Sequence, residues 1–187
     1  RQTKVEALPG VLAVATGADA PNTFGVLPVT KDEHAMAVEK VRHVGDLVAC
    51  VAAVDEATAM EALNLFEIEW EVLEPVFDPR KGLEDQDEPI HWRGKYHVGT
   101  TNVQKRVFQE FGDRSLVEDP TASSHGKWRM EGVHHGFTEP HAVVAHWDPN
   151  GRLQLYTPQQ VPHYVHRALS TVLEVPMHQI NVIRTFV

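Results

Sequence analysis

The most regular pattern of apolar and polar positions lies between Leu47 and Val72. Leu47 to Val54, "LVACVAAV", is an unbroken apolar run rich in valine and flanked by "GD" and "DE". It predicts a strand buried on both faces, with Cys50 as a small core hydrophobe. Asp55 then offers a side-chain oxygen to the first N–H groups of a helix in "EATAMEALNL", where the alanines, Met60 and Leu63 supply helix formers and an apolar side. From Phe66 the period drops to two. Phe66, Ile68, Trp70 and Val72 alternate with Glu67, Glu69 and Glu71, which predicts a strand with Ile68 and Trp70 buried and Glu67 and Glu69 in water. Strand, helix and strand make a βαβ unit, right-handed if both strands share a sheet.

Leu73 to Pro89, "LEPVFDPRKGLEDQDEP", carries three prolines and many charges and reads as a linker between two folding units. Beyond it, Val103, Val107 and Phe111 in "NVQKRVFQEFGD" recur at helical spacing and predict a helix. From His125 to Val161 the text is β. Asp-Pro-Asn-Gly at 148–151 separates two strand-like runs and predicts a hairpin, because Asn and Gly tolerate positive φ. A helix follows, with Pro162 in its first turn and an apolar stripe of Val161, Val165, Ala168, Leu169 and Val172. "VPMHQINVIRTFV" then returns to a strand. Arg1 stands where an initiator Met would, and the apolar run "INVIRTFV" ends without turn or cap, so the chain is expected to be a piece of a longer protein.

At 187 residues the chain can bury a core. Its net charge of −9 argues against a protein that grips a nucleic-acid backbone, which needs a basic face. One cysteine rules out a disulfide framework within the chain. With no apolar stretch long enough for a membrane span and no signal-peptide pattern, a soluble cytoplasmic setting is the default expectation.

The twelve histidines raise the possibility of zinc, but no His-Glu-x-x-His and no cysteine pair is present. On the expected helix His163 and His166 fall with Arg167, Ser170 and Glu174 opposite the apolar stripe, so a solvated face is the better reading and no metal ligand is assigned. Glu139, between Phe137 and "AVVA", reads as a partly buried carboxylate held by backbone donors. To work as a general acid or base it would need a titratable partner that the sequence does not supply. Gln159 and Gln160 stand where the hairpin hands over to the helix. They could face a ligand or satisfy the helix's first N–H groups, and periodicity leaves both open.

"VRHVGDLVACVAAVDEATAMEALNLFEIEWEVLEPVFDP" resembles the α/β-hammerhead segment of molybdenum hydroxylase large subunits, the xanthine dehydrogenase and aldehyde oxidase family. "HVGTTNVQKRVFQEFGD", "HHGFTEPHAVVAHWDPNGRLQLYTPQQVPHYVHRAL" and "INVIRTFV" resemble, in the same order, the start of the molybdopterin-binding domain that follows it. The wording of "EPHAVVA" and "QVPHYVHRAL" is similar to members of the 4-hydroxybenzoyl-CoA reductase and carbon monoxide dehydrogenase kind. "VEDPTASSHGKWRMEG" departs from the family's usual acidic strand, so that edge is expected to be irregular.

The resemblance implies an α+β fragment: part of a hammerhead domain over 1–78, a linker over 79–95, and the first part of the molybdopterin-binding domain over 96–187. It implies a molybdopterin-type molybdenum cofactor, with iron–sulfur clusters and FAD on partner subunits or domains, and hydroxylation or reductive dehydroxylation of a small molecule at a carbon centre, an aromatic acyl-CoA among the possible substrates. By matching position, Gln160 is the cofactor-binding residue, its amide directed at an oxo ligand, although this chain has "PQQ" where the family often has "STQ". The family's Gly-rich loop and catalytic glutamate are expected beyond "VIRTFV", so no catalytic residue is assigned here and the fragment alone is expected to be inactive. Two alternatives remain, a non-catalytic binding module and a His-rich zinc hydrolase.

Overall fold

Two small sheets organise the chain. The computed structural model describes residues 3–27, 31–91, 99–118 and 121–186. In order along the chain come α1 (Thr3–Glu6), β1 (Val11–Thr16), β2 (Ala49–Ala53), α2 (Glu56–Leu63), α3 (Ser115–Glu118), β3 (Val144–Trp147), β4 (Leu153–Thr157), α4 (Pro162–Val172) and β5 (Ile180–Arg184). β1 and β2 form an antiparallel pair, while β3, β4 and β5 form a second sheet in that order.

In the first sheet α1 packs on β1 and α2 on β2, with Val5 and Ala62 fully buried. Asp55 caps α2 as expected, its carboxylate accepting from the Thr58 N–H at 2.8 Å. That bond holds the carboxyl below its ordinary value. Gly17 follows β1 at a close approach of two backbones: a Cβ there would stand 2.4 Å from the Ala37 carbonyl oxygen, so only glycine fits.

The expected βαβ unit at Leu47–Val72 does not form. β2 pairs with β1, an antiparallel strand that the sequence pattern did not reveal, and Phe66–Val72 lies outside any strand. Ile68 and Trp70 are 44% and 58% exposed rather than buried. Alternation assigns faces, but a strand also needs a neighbouring backbone, and none pairs with 66–72 among the described residues. β2 itself is half-buried on one face and open at Cys50 and Ala52 on the other, so Cys50 is an exposed thiol and not a core residue.

The same reason accounts for two further differences. Residues 102–113 form no helix, and Val107, Phe108 and Phe111 are exposed; an apolar stripe of that length is marginal without a surface to receive it. Residues 122–143 are exposed throughout and contain no strand, so the β structure expected from His125 onward begins only at Val144. The chain exposes 15317 Å², against roughly 9000 Å² for a compact monomer of this mass.

The segment before the second unit is held at several points. Asp78 is gripped by Arg80, which brings its carboxyl down to about 2. Lys40 bonds Glu88 and the Pro89 carbonyl, the Arg42 guanidinium donates to the Ile90 carbonyl, and His91 meets Asp32 at 2.8 Å. Residues 92–95 of the expected linker and 96–98 beyond it lie outside the described residues.

The second sheet carries the βαβ arrangement instead. β3 and β4 form the expected hairpin, with Gly151 at φ 75° in its turn. The Asp148 carboxylate accepts from the backbone of Asn150 and Arg152, each at 2.9 Å, and from Gln154 at 3.0 Å. β5 then runs parallel to β4 after the crossover through α4, which packs on β5. Leu153, Leu155 and Ile180 are buried between strands and helix. Among the described residues no helix is long and apolar enough to cross a membrane.

Leu155→Ala is expected to destabilise the second unit by about 2–5 kcal/mol, the range for emptying a buried leucine site. Val133→Ala, at a position 93% exposed, should change stability by no more than about 0.5 kcal/mol in the same urea titrations. Asp148 predicts an acid response. Its carboxyl is held below the ordinary value chiefly by the Arg152 N–H, so its contribution is present above about pH 4 and lost as pH falls through the lowered value. Melting curves at neutral and acid pH should show that part of the acid loss missing in Asp148→Asn.

Candidate functional site

Parallel pairing of β4 and β5 turns both strands' carboxyl ends toward the start of α4. Thr157, the last residue of β4, is 2% exposed and faces Arg184 in register. The Thr185 N–H extends the pairing by donating to the Thr157 carbonyl at 3.1 Å. An open cavity of about 390 Å³ lies at this end, lined by Gln160, Arg184, Thr185 and Phe186. It contains an amide, a guanidinium and an exposed aromatic ring, and no carboxylate.

Neither Gln160 nor Arg184 has a side-chain partner among the described residues. α4 opens on Val161 with no side-chain cap, so neither Gln159 nor Gln160 satisfies its first N–H groups. That choice was open in the sequence and the structure resolves it against capping. Unengaged N–H donors beside a fixed positive charge suit an oxygen-rich anionic or polarised group.

The other candidate residues are not brought to this cavity. Glu139 is exposed and has no hydrogen-bond partner among the described residues, so the expected backbone cage around it is absent; the stretch that would have built the cage has no secondary structure. His163 is exposed, as the helical spacing implied. His166, expected beside it in solvent, is half-buried, with Nε2 2.7 Å from the Met177 carbonyl, and Ser170 donates to the Val175 carbonyl. The polar side of α4 thus anchors the return loop, where hydrogen bonding replaces water. His134, His135, Phe137 and His141 form an exposed run of ring contacts, and no group of three or more His, Cys, Asp or Glu among the described residues is placed to hold a metal ion.

Arg184, Thr185 and Phe186 were not legible as site residues. Their only signal is that they end or follow a strand paired in parallel with the one before Gln160, and pairing is not a local property. Two other cavities carry less chemistry. One has Asp32, Glu33, His43, Asp46 and His91 in its walls, with the carboxylates of Asp32 and Asp46 already engaged by His91 and His43. The other is a wide apolar groove containing Val38, Val41, Ile68, Trp70, Val72 and Phe77.

Fold and cavity together define an α+β unit with a ligand position beyond the carboxyl ends of parallel strands, the usual place for one. Residues 1–74 match the profile described as aldehyde oxidase and xanthine dehydrogenase, a/b hammerhead domain, and residues 97–187 match the molybdopterin cofactor-binding domain. The chain belongs to the xanthine dehydrogenase and aldehyde oxidase family of molybdenum hydroxylases.

It is 32% identical to the nicotinate dehydrogenase large molybdopterin subunit of Eubacterium barkeri, over 97% of this chain and 41% of that protein. To the xanthine dehydrogenase molybdenum-binding subunit of Escherichia coli O157:H7 it is 29% identical, over 98% of this chain and 25% of that one. The aldehyde oxidoreductase of Desulfovibrio gigas shares its fold with a TM-score of 0.73 at 20% identity, over 98% of this chain and 21% of that chain. Quinoline 2-oxidoreductase of Pseudomonas putida 86 does so at 0.72 and 24%, over 97% and 24%. The chain therefore spans less than half the length of the relatives it matches.

His166→Ala should lower stability by about 1 kcal/mol through loss of the bond to the Met177 carbonyl. His163→Ala should stay within about 0.5 kcal/mol of the parent, as exposed substitutions do. Paired urea titrations would separate the two histidines.

Proposed function

We propose that this chain is part of the large subunit of a molybdopterin-dependent oxidoreductase, and that the cavity at Gln160 is one wall of its cofactor site. The supporting observation is the set of unengaged donors, Gln160 and Arg184, in a cavity with no carboxylate in its lining. Such a lining fits a cofactor whose outer atoms are oxo and phosphate oxygens. Bound there, that group would supply two-electron redox chemistry at a substrate carbon, with water as oxygen source or product.

The chain's own residues hold and polarise. The Gln160 amide would donate an N–H to an oxygen of the bound group without the repulsion that a carboxylate would bring, and a donor preset where negative charge grows would favour the reduced side of the reaction. Arg184 adds positive charge beside it.

The domain limits proposed are a hammerhead part over 1–78, a linker over 79–95 and the cofactor-binding part over 96–187. Iron–sulfur and FAD subunits or domains are the proposed electron partners, in a soluble cytoplasmic enzyme. The reaction is hydroxylation, or its reverse, at a carbon centre. An aromatic acyl-CoA substrate, suggested by the wording of "EPHAVVA" and "QVPHYVHRAL", has no counterpart among the relatives named above.

In the full-length enzyme, Gln160→Ala should lower turnover on the order of 10²-fold, the effect of removing one preset donor. Melting temperature and molybdenum content should hold, because the side chain bonds nothing in the fold. His163→Ala should be nearly silent. Greater damage from His163→Ala, or loss of activity in Gln160→Ala only through unfolding, would show that the residue facing the cofactor has been misassigned.

A further inference from the structure

The cavity depends on which residue of β5 stands beside Thr157, and apolar burial does not settle that. Of the five residues in β5, Ile180 is buried, Val182 and Ile183 are half-buried, and Asn181 and Arg184 are exposed. A slide of one residue exchanges the faces of a strand and is disfavoured by burial. A slide of two restores them: Val182 would take the place of Ile180 and Thr185 that of Ile183, while Arg184 would stand at the half-buried Val182 position, where its long stem still reaches water. It would also carry Arg184 about 7 Å along the sheet, away from Gln160.

One polar group breaks this degeneracy. The Asn181 Nδ2–H donates to Gln154 Oε1 at 2.7 Å, directly across the strand pair, and Gln154 Nε2–H donates to Asp148 Oδ2 at 3.0 Å. The direction of the chain of bonds is set at its far end. An ionised carboxylate only accepts, so Gln154 must present its N–H₂ to Asp148 and its oxygen to β5, where only a donor can meet it. Asp148 is in turn fixed by the two backbone N–H groups of the hairpin turn. In β5 the side chain that can donate from that distance and position is Asn181.

We propose that Asn181, acting through Gln154 and Asp148, is the register lock of the β4–β5 pair and a positioning residue for the Gln160 cavity. It selects one alignment by matching a donor on β5 to the acceptor that Gln154 must present, a match that Ile183 at the same place could not make. The link to catalysis rests on the function proposed above; the lock itself does not.

The test reads register directly, in the full-length protein with Cys50→Ser. Cysteines at Tyr156 and Ile183 face each other in the native pairing, whereas cysteines at Tyr156 and Thr185 would face each other only after a slide of two. A short thiol cross-linker with peptide mass spectrometry should join the first pair and spare the second. Adding Asn181→Val, or separately Gln154→Val in case the first variant folds poorly, should move a large share of the product to the 156–185 pair. The exchange Gln154→Asn with Asn181→Gln, which keeps an amide pair of the same total length, should restore the native product. If either valine variant folds and its cross-links are unchanged, the lock is disproved. A shifted register with unchanged turnover would uphold the lock and count against the functional reading of Gln160, so the two failures are distinguishable.

Discussion

Everything at the candidate site follows from two strands running the same way. Parallel neighbours cannot be joined by a tight turn, so the chain leaving β4 must cross the sheet through α4 before it returns as β5. That requirement brings the end of β4, the start of α4 and the end of β5 to one place, and Gln160, Arg184, Thr185 and Phe186 meet there. Burial of Leu153, Leu155 and Ile180 holds the pair together, each side chain contributing about 1.5–3 kcal/mol before the entropy of ordering is set against it. The site is a product of topology first and of side-chain chemistry second.

The distribution of charge reinforces this. The chain is acidic overall, yet its cavity is not. Several carboxylates are committed elsewhere: Asp55 to a helix start, Asp148 to a turn, Asp78 to Arg80, Asp32 to His91. A group rich in oxygen would meet donors at the end of β5, and local repulsion would be set by what lines the cavity more than by the net charge, since exposed charges farther away than about 8–10 Å are screened at ordinary salt.

The elements legible in the sequence are those whose cause is local. The Asp-Pro-Asn-Gly hairpin, the Asp55 cap, the helix opening at Pro162 and the strand at "INVIR" each rest on a few adjacent residues, and each is present. Family membership was also legible, because its motifs are short and ordered along the chain. Phe66–Val72 and 102–113 failed for one reason: their periodicity describes a face, and a face becomes an element only when another backbone or an apolar surface receives it. Cys50 was misplaced likewise, since an apolar run shows that one side is buried without showing that both are. Of the cavity's lining, Gln160 was singled out in the sequence by its motif, whereas Arg184 depends on a pairing with partners 27 positions apart in the chain.

That separation also orders assembly in time. The hairpin closes over a few residues and can form within about 1–10 μs, whereas β5 can pair only after the crossover has been gathered, a non-local closure that slows folding. The end of β5, and the cavity with it, is then expected to be the last part of this unit to form. Contacts that form after the transition state govern escape from the native state more than the approach to it. A weakened β5 would leave the unit folding at nearly its usual speed while its cavity opens and is lost more often, so the lifetime of the site, more than the yield of folding, is where this topology is exposed to mutation.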